Sequence, residues 1–173
     1  MLAGWELVPL ASFPQIPDPP ETADTFEGNA LQKAHFVFAR TALPCIADDS
    51  GLEVDALAGA PGVHSKRWTP EAIAETNNAK MLREMAHAEN RTARFVCALA
   101  LVTGKGERVW RGTVEGCIGH ALRGSKGFGY DPLFLPDAVP GRTMAELEPH
   151  EKDAISHRGR ALEALPAAMK ALL

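Results

Sequence analysis

The chemistry that this sequence could support begins with two adjacent carboxylates. Asp48 and Asp49 follow the apolar run Leu43–Ala47, which is typical of a buried β-strand. Ser50 and Gly51 come next and predict a turn where that strand ends. Because neighbouring acids repel each other, they usually need a basic partner or a cation, such as a divalent metal bound to phosphates. A solvated Asp-Asp-Ser-Gly turn explains this stretch equally well, so the rest of the chain has to decide.

Basic side chains that could complement the acids are scattered along the chain. Lys33 lies off the apolar stripe of a predicted helix, and taken alone a solvated lysine is the simpler interpretation. The basic and aromatic segment His64–Trp68 could contact a phosphate or a base, but an ordinary surface position is slightly favoured. Near the end of the chain Ser156 is a candidate helix cap. It would place His157 and Arg158 at a helix N-terminus, where free backbone N–H groups favour anions.

A glycine-rich loop between residues 123 and 135 offers a further candidate binding element. Its glycines would let the backbone approach a ligand closely, and Phe128 could stack on that ligand. A lone glycine-rich loop is more often only a turn. The chain also offers acids for a metal (Glu21, Asp48, Asp49) and cations for phosphates (Lys33, Lys152, Arg158). Together with the loop, these are the groups that triphosphate hydrolysis needs, because its transition states carry negative charge spread over the phosphates, which cations and a metal must stabilise.

The elements that must position these residues are both helices and strands. Helical spacing predicts a helix within Glu21–Ala42, capped by Thr22, Asp24 or Thr25. Further helices are predicted for Pro70–Ala88 after a Thr69 cap, and from Ile155 to Leu173 with a possible kink at Pro166. Strand signals cover Trp5–Leu10 and a hairpin of Arg94–Thr103 with Glu107–Ile118, and Met1–Gly4 resembles the tail of a helix.

Size and composition limit the possible classes of protein. With 173 residues, 46% apolar and 23% charged, the sequence predicts a single globular domain over residues 1–173. A net charge of −4 argues against a general nucleic-acid binder. We expect the three scattered cysteines to be buried thiols. The sequence has no apolar run of membrane-spanning length, so we expect no membrane partner. It has no secretory signal, which predicts a cytoplasmic location.

Five blocks of residues, in order, resemble the Ham1 / inosine triphosphate pyrophosphatase family of non-canonical purine nucleoside triphosphate pyrophosphatases. The blocks are Thr25–Ala34, Ile46–Gly51, Gly59–Gly62, Gly127–Pro132 and Glu151–Gly159. The resemblance extends over essentially the whole chain from Trp5 onward. It implies an α/β fold in which an elongated mixed β-sheet is flanked by helices, with two lobes around a central cleft, and usually a homodimer.

The resemblance also implies an activity and the residues that serve it. The expected reaction is Mg²⁺-dependent hydrolysis of ITP, dITP and XTP to the monophosphate and pyrophosphate. Asp49 would be the general base and a metal ligand, Glu21 a further metal ligand, and Asp48 would lie beside them. Ser50 would contact the substrate, while Lys33 and Lys152 would hold its phosphates. The base and sugar pocket would be lined by Phe128, Gly129, Tyr130 and Asp131. The purine would be contacted by His157 and Arg158.

The substrate selectivity that the resemblance implies agrees with hydrogen-bond chemistry. A 6-keto purine presents an acceptor to His157 and Arg158, whereas adenine presents a 6-amino donor, a mismatch that costs roughly 1–3 kcal/mol when buried. Guanine also carries the 6-keto group, so its exclusion must come from pocket shape around the 2-position.

One departure from the family pattern concerns the start of the chain. The family opens with a strand and a Thr/Ser-Gly-Asn-x-x-Lys loop that cradles the triphosphate, and the sequence as written carries no such motif. We expect an N-terminally truncated domain in which Met1 marks a misplaced start. The alternative expectation is a catalytically impaired remnant that binds nucleotide or forms dimers.

Overall fold

The computed structural model describes residues 5–173, which form a five-stranded sheet flanked by helices. The strands are β1 (Cys45–Val54), β2 (Pro61–Gly62), β3 (Thr92–Thr103), β4 (Gly106–Ile118) and β5 (Phe134–Pro136). The helices are α1 (Phe26–Thr41), α2 (Ala74–Glu84), α3 (Pro149–Ile155), α4 (His157–Glu163) and α5 (Leu165–Leu172). The α/β class is therefore confirmed. The strand order is β2-β1-β3-β4-β5, and all four pairings between these described strands are antiparallel, where the resemblance implied a mixed sheet.

The central strand β3 is covered on both faces, which explains why it is apolar at almost every position. Side chains alternate between the two faces of a strand. One set packs against α1, and its small alanines allow the helix to approach closely: Val96, Ala98, Ala100 and Val102. The other set packs against α4 and α5: Cys97, Leu99 and Leu101. This end of the sheet is therefore a three-layer sandwich.

A second core cluster occupies the other end of the sheet. Phe95 of β3 packs against Phe134 of β5, with ring centres 4.6 Å apart. Met81 and Met85, at the C-terminal end of α2, are fully buried in the same cluster, as expected for core methionines. The sheet thus supports two packed regions, and the cleft lies where they meet.

The expected turn at Ser50–Gly51 is wrong, because β1 continues through it. The strand pairs with β3 from Cys45 opposite Val102 to Val54 opposite Ala93. Gly51 is small for another reason: a Cβ there would lie 2.5 Å from Ser65 Oγ and 2.6 Å from the Gly62 carbonyl oxygen. The glycine permits the close approach of the β2 segment and does not end the strand. Asp48 and Asp49 consequently lie within a strand.

Two further boundaries differ from the prediction. Trp5–Leu10 forms no strand: it pairs with no described strand, Pro9 lacks an N–H donor, and Leu10–Ser12 forms a 3₁₀ turn. The helix expected from Pro70 starts at Ala74, because the backbone N–H and hydroxyl of Thr69 donate to Asn77 Oδ1, which holds the segment in a turn. The helix tail expected at Met1–Gly4 lies outside the described residues.

Several other predicted elements follow their sequence signals. Thr25 caps α1 by accepting from the Gly28 N–H, and Ser156 caps α4 by accepting from the Gly159 N–H. β3 and β4 form the expected hairpin. The C-terminal helix is interrupted at Ala164, and Pro166 lies in the first turn of α5.

Candidate active site

Asp48 and Asp49 belong to two different polar networks. Because neighbouring side chains in a strand point to opposite faces, Asp49 faces α1 and Asp48 faces α4. Their repulsion is therefore relieved by two separate cationic partners, Lys33 and Arg158, and not by one shared cation.

The network around Asp49 contains four charged groups in close contact. Lys33 Nζ lies 2.9 Å from Asp49 Oδ1 and 2.9 Å from Glu21 Oε1. Asn29, one helical turn before Lys33 on the same face of α1, donates from Nδ2 to Asp49 Oδ2 at 3.1 Å. Arg67 Nη1 donates to the second oxygen of Glu21 at 3.0 Å. The interpretation of Lys33 as a solvated surface lysine is therefore wrong.

The pKa values in this network separate the two acids. Burial raises the pKa of Asp49 above its ordinary value, although the contacts with Lys33 and Asn29 oppose this. The hydrogen bond from Lys33 lowers the pKa of Glu21. Burial lowers the pKa of Lys33, but the bonds to Glu21 and Asp49 outweigh burial and raise it. Asp49 is thus the more basic carboxylate, next to a lysine that stays charged.

The network around Asp48 is an ion pair with the C-terminal part of the chain. Arg158 donates to Asp48 Oδ2 from Nη2 at 2.8 Å and from Nε at 3.2 Å, and Ser50 Oγ donates to the same oxygen at 3.1 Å. Burial alone would raise the pKa of Asp48, but the bonds from Arg158 and Ser50 lower it overall. Asp48 therefore anchors Arg158 at the edge of the cleft.

The glycine-rich loop forms a compact turn around Asp131. Asp131 Oδ2 accepts from the Phe128 N–H at 2.7 Å and from Lys152 Nζ. Gly127 adopts a φ of +75°, and a Cβ there would overlap the Asp131 carboxylate, so only glycine fits. Phe128 is 67% exposed, and Lys152 Nζ lies 4.5 Å from its ring centre. Lys152 therefore lies with the loop, away from the contacts of Lys33.

His157 is buried between the two packed regions. Its ring stacks on Phe95 at a centroid distance of 5.1 Å and an interplanar angle of 18°. Burial, together with the nearby charges of Arg158 and Lys152, lowers its pKa to about 4. Nδ1 has no hydrogen-bond partner within residues 5–173. A neutral imidazole with free hydrogen-bonding capacity thus faces the cleft.

A cavity of about 480 Å³ joins these networks. It is lined by groups from α1, β1, the glycine-rich loop and α4, which are Lys33, Asp48, Asp49, Ser50, Phe128, Gly129, Tyr130, Asp131, His157 and Arg158 among others. A neighbouring cavity of about 420 Å³ shares Phe128, His157 and Arg158 and also contacts Lys152. The structure thus brings all the predicted positions to one cleft except Glu21, which reaches it through Lys33.

Comparison with known proteins identifies the family. The sequence model of the Ham1 family matches residues 1–168. The chain belongs to the Ham1 family. It is 51% identical to a dITP/XTP pyrophosphatase of Exiguobacterium over 95% of this chain and 84% of that protein, and 49% identical to one of Mycolicibacterium paratuberculosis over 99% and 85%.

Solved Ham1 structures share the fold. The Staphylococcus aureus Ham1 protein superposes with a TM-score of 0.89 at 36% identity, covering 96% of this chain and 87% of that one. A dITP/XTP pyrophosphatase from Mycobacterium abscessus superposes with a TM-score of 0.81 at 49% identity, covering 94% of this chain and 85% of that one. The α/β architecture implied by the resemblance is therefore that of the family.

Sequence reasoning missed several residues that shape the Ham1 cleft. Asn29 lies one helical turn from Lys33, and that spacing could have revealed it. Phe95, Asn77 and Asn78 carry no recognisable signal, because a strand phenylalanine and helix asparagines are ordinary. Arg67 comes from the segment His64–Trp68, for which the surface interpretation was favoured; it is exposed on one side and bound to Glu21 on the other.

The arrangement of acidic side chains bears on the predicted metal ligands Glu21, Asp48 and Asp49. Within residues 5–173 no group of three or more His, Cys, Asp or Glu side chains is arranged to hold a metal ion. Glu21 and Asp49 do converge on one positive charge, the ammonium of Lys33. The three cysteines are free thiols, but only Cys97 is buried; Cys45 and Cys117 are half-buried, so the prediction of burial is wrong for these two. In the part of the chain described here no helix has both the length and the apolarity to cross a bilayer.

Proposed function

We propose that this Ham1-family chain hydrolyses dITP, XTP and ITP to the nucleoside monophosphate and pyrophosphate. The observation that carries the proposal is the shared cavity, in which the Lys33–Asp49 pair and the aromatic loop residue Phe128 line one space. Relatives about half identical in sequence are named dITP/XTP pyrophosphatases, which supports the same substrate class.

Asp49 is suited to act as the general base. Its raised pKa gives it more affinity for a proton than an ordinary aspartate, so it can accept a proton from an attacking water molecule. Lys33, 2.9 Å away, stabilises the negative charge that develops on the phosphates. Asn29 holds the second Asp49 oxygen and so fixes the direction of the carboxylate.

Glu21 and Asp49 are the proposed ligands of Mg²⁺. Hard carboxylate oxygens are the donors that this ion prefers, and both acids direct an oxygen toward the same point, which supports their sharing a cation. Asp48 is the weaker candidate, since it lies on the other face of β1, paired with Arg158, and is not directed toward the same point as Glu21 and Asp49. When bound with a triphosphate, Mg²⁺ would neutralise phosphate charge and polarise the phosphoryl group.

The purine is proposed to bind between the glycine-rich loop and His157. Phe128 offers an exposed ring for stacking, and the neutral imidazole of His157 can donate a hydrogen bond to a 6-keto oxygen. Arg158, held by Asp48, provides a second donor. Lys152 lies 4.5 Å from the Phe128 ring centre, so its proposed phosphate contact would require it to reach out from the loop.

A substrate panel tests this proposal. Pyrophosphate release is measured with dITP, XTP, ITP, ATP and GTP in the presence of Mg²⁺, and again with EDTA. We expect kcat/KM for the 6-keto substrates dITP and XTP to exceed that for ATP by at least about tenfold, and activity to require the metal. Equal rates on ATP and XTP would refute the assignment of the purine pocket. Nucleotide binding without turnover would instead favour the impaired remnant.

The assembly and domain organisation are also proposed from the family. We propose a single-domain protomer that forms a homodimer, and light scattering of the purified protein measures this directly. The Ham1 relatives named above are somewhat longer than the matched region, which covers 84% and 85% of them.

A further inference from the structure

Two consecutive asparagines of α2 contact both walls of the cleft. Asn77 and Asn78 are only 5% and 4% exposed. Asn77 Nδ2 donates to the carbonyl oxygens of Ser65 at 3.3 Å and Lys66 at 3.1 Å, and its Oδ1 accepts the Thr69 N–H and hydroxyl at 2.9 Å each. The amide of Asn77 is thus fully used in holding the 65–69 segment, of which Ser65 and Lys66 line the cavity.

Asn78 holds the opposite wall. Its Nδ2 donates to the Gly129 carbonyl oxygen at 2.9 Å, and Gly129 lies in the glycine-rich loop with a φ of +59°. The next residue, Tyr130, donates its hydroxyl to the Ser65 carbonyl oxygen at 2.9 Å. The two walls are therefore connected twice, once through Tyr130 and once through the asparagine pair.

The amide of Asn78 is not satisfied by these contacts. Its Oδ1 is buried and has no hydrogen-bond partner among the residues that the structure describes. Rotating the amide would bring Oδ1 against the Gly129 carbonyl oxygen, so the bond to Gly129 fixes the orientation. A buried acceptor without a partner is unfavourable for stability. The Asn78 amide therefore combines this cost with one hydrogen bond, to the Gly129 carbonyl oxygen.

We propose that Asn78 is a positioning residue of the nucleoside pocket. By holding the Gly129 carbonyl oxygen, it sets the distance between the loop that carries Phe128 and the wall formed by Ser65 and Lys66. Asn78 itself does not line the cavity, so it acts on the nucleotide through Gly129. This inference rests on the proposed function, because the ligand of the pocket is taken to be a 6-keto purine nucleotide.

The positioning role differs from a purely structural one in its energetics. Replacing Asn78 by leucine removes the unsatisfied Oδ1 acceptor but leaves the Gly129 carbonyl oxygen without its donor. Because Gly129 is only half-buried, water can take the place of that donor once the loop moves, so the two effects on stability oppose each other. The variant should therefore fold normally and bind nucleotide poorly.

The experiment compares nucleotide binding and stability in matched variants. Isothermal titration calorimetry with IMP, a 6-keto purine monophosphate, is carried out on the wild-type protein, Asn78→Leu, Asn78→Asp and the control Asn90→Leu. Asn90 is exposed, and within residues 5–173 its side chain accepts only from the Thr92 N–H. We expect Asn78→Leu to weaken IMP binding about tenfold, as for loss of about one hydrogen bond, with a similar rise in KM for XTP and kcat within about twofold. Asn78→Asp, which keeps the size but replaces the donor by an acceptor, should weaken binding at least as much, and Asn90→Leu should not.

Melting temperatures separate the possible outcomes. A second control, Met85→Ala, destabilises the core on which α2 packs without removing a hydrogen bond to the loop. If Asn78→Leu binds IMP like the wild type, or loses stability and kcat together as Met85→Ala would, the positioning role is refuted. If the wild-type protein binds no IMP and releases no pyrophosphate, the proposed function fails and this inference fails with it, a result distinct from normal binding by Asn78→Leu.

Discussion

His157 shows at the scale of one residue how burial controls charge. Its pKa is about 4 in the folded chain, against 6.5 for an ordinary histidine, because burial and the charges of Arg158 and Lys152 disfavour the imidazolium. The side chain is therefore neutral at pH 7. It can act as a donor to a keto oxygen without adding a buried charge to the cleft.

This pKa predicts a loss of stability in mild acid. Between pH 6.5 and 4 the unfolded chain binds a proton at His157 that the folded chain does not, so the free energy of unfolding falls as the pH falls through this window. Between pH 7 and 5 the contribution of His157 is about 2 kcal/mol. Chemical denaturation at pH 7 and pH 5 should show this drop in the free energy of unfolding for the wild type and a smaller drop for His157→Gln. Equal drops in the two proteins would contradict the burial of a neutral imidazole.

At the scale of elements, the N-terminus of α4 is placed by a close contact with β4. A Cβ at Gly112 would lie 2.3 Å from the His157 carbonyl oxygen and 2.4 Å from the Ala161 backbone nitrogen. Both are backbone atoms and cannot rotate away. The absence of a side chain at Gly112 therefore allows α4 to present His157 and Arg158 to the cleft.

Gly112→Ala should accordingly disturb both folding and binding. We expect a destabilisation of about 1–3 kcal/mol, since α4 must move to accommodate the methyl group, together with weaker nucleotide binding. Gly104→Ala is the matched control: a Cβ there meets nothing within 4 Å, and its effect should stay within about 0.5 kcal/mol. Denaturant titration of both variants measures the difference, and equal stabilities would contradict the tight packing of α4 on β4.

The elements also show which sequence signals are dependable. The Ser156 cap and the β3–β4 hairpin were predicted correctly, and Thr25 is one of the three caps predicted for α1, because these signals are local. Ser50–Gly51 was mistaken for a turn, since a glycine required for close approach by a distant segment looks the same as a turn glycine. Pro70 was mistaken for a helix start for a similar reason: the side chain of Asn77 decides that boundary.

Across the whole molecule, the order of the motifs predicted the family and the fold, but not the pairing of charges. Asp48 and Asp49 appeared as one acidic pair, whereas the strand places them on opposite faces, with Arg158 and Lys33 as separate partners. Such pairings depend on contacts between residues up to 110 positions apart, as for Arg158 and Asp48, and one sequence does not encode them visibly. The role of Asn78 belongs to the same class.

The most direct measurement is the identity of the products formed from dITP by the wild-type protein and by Asp49→Asn. The wild type should release dIMP and pyrophosphate in equal amounts with Mg²⁺ present. Asp49→Asn keeps the shape of the side chain but removes the base, so kcat should fall by at least about 100-fold, while circular dichroism and IMP binding stay close to those of the wild type. Release of dIDP and phosphate by the wild type, or full activity in Asp49→Asn, would contradict the assignment of this cleft as a pyrophosphatase site with Asp49 as its base.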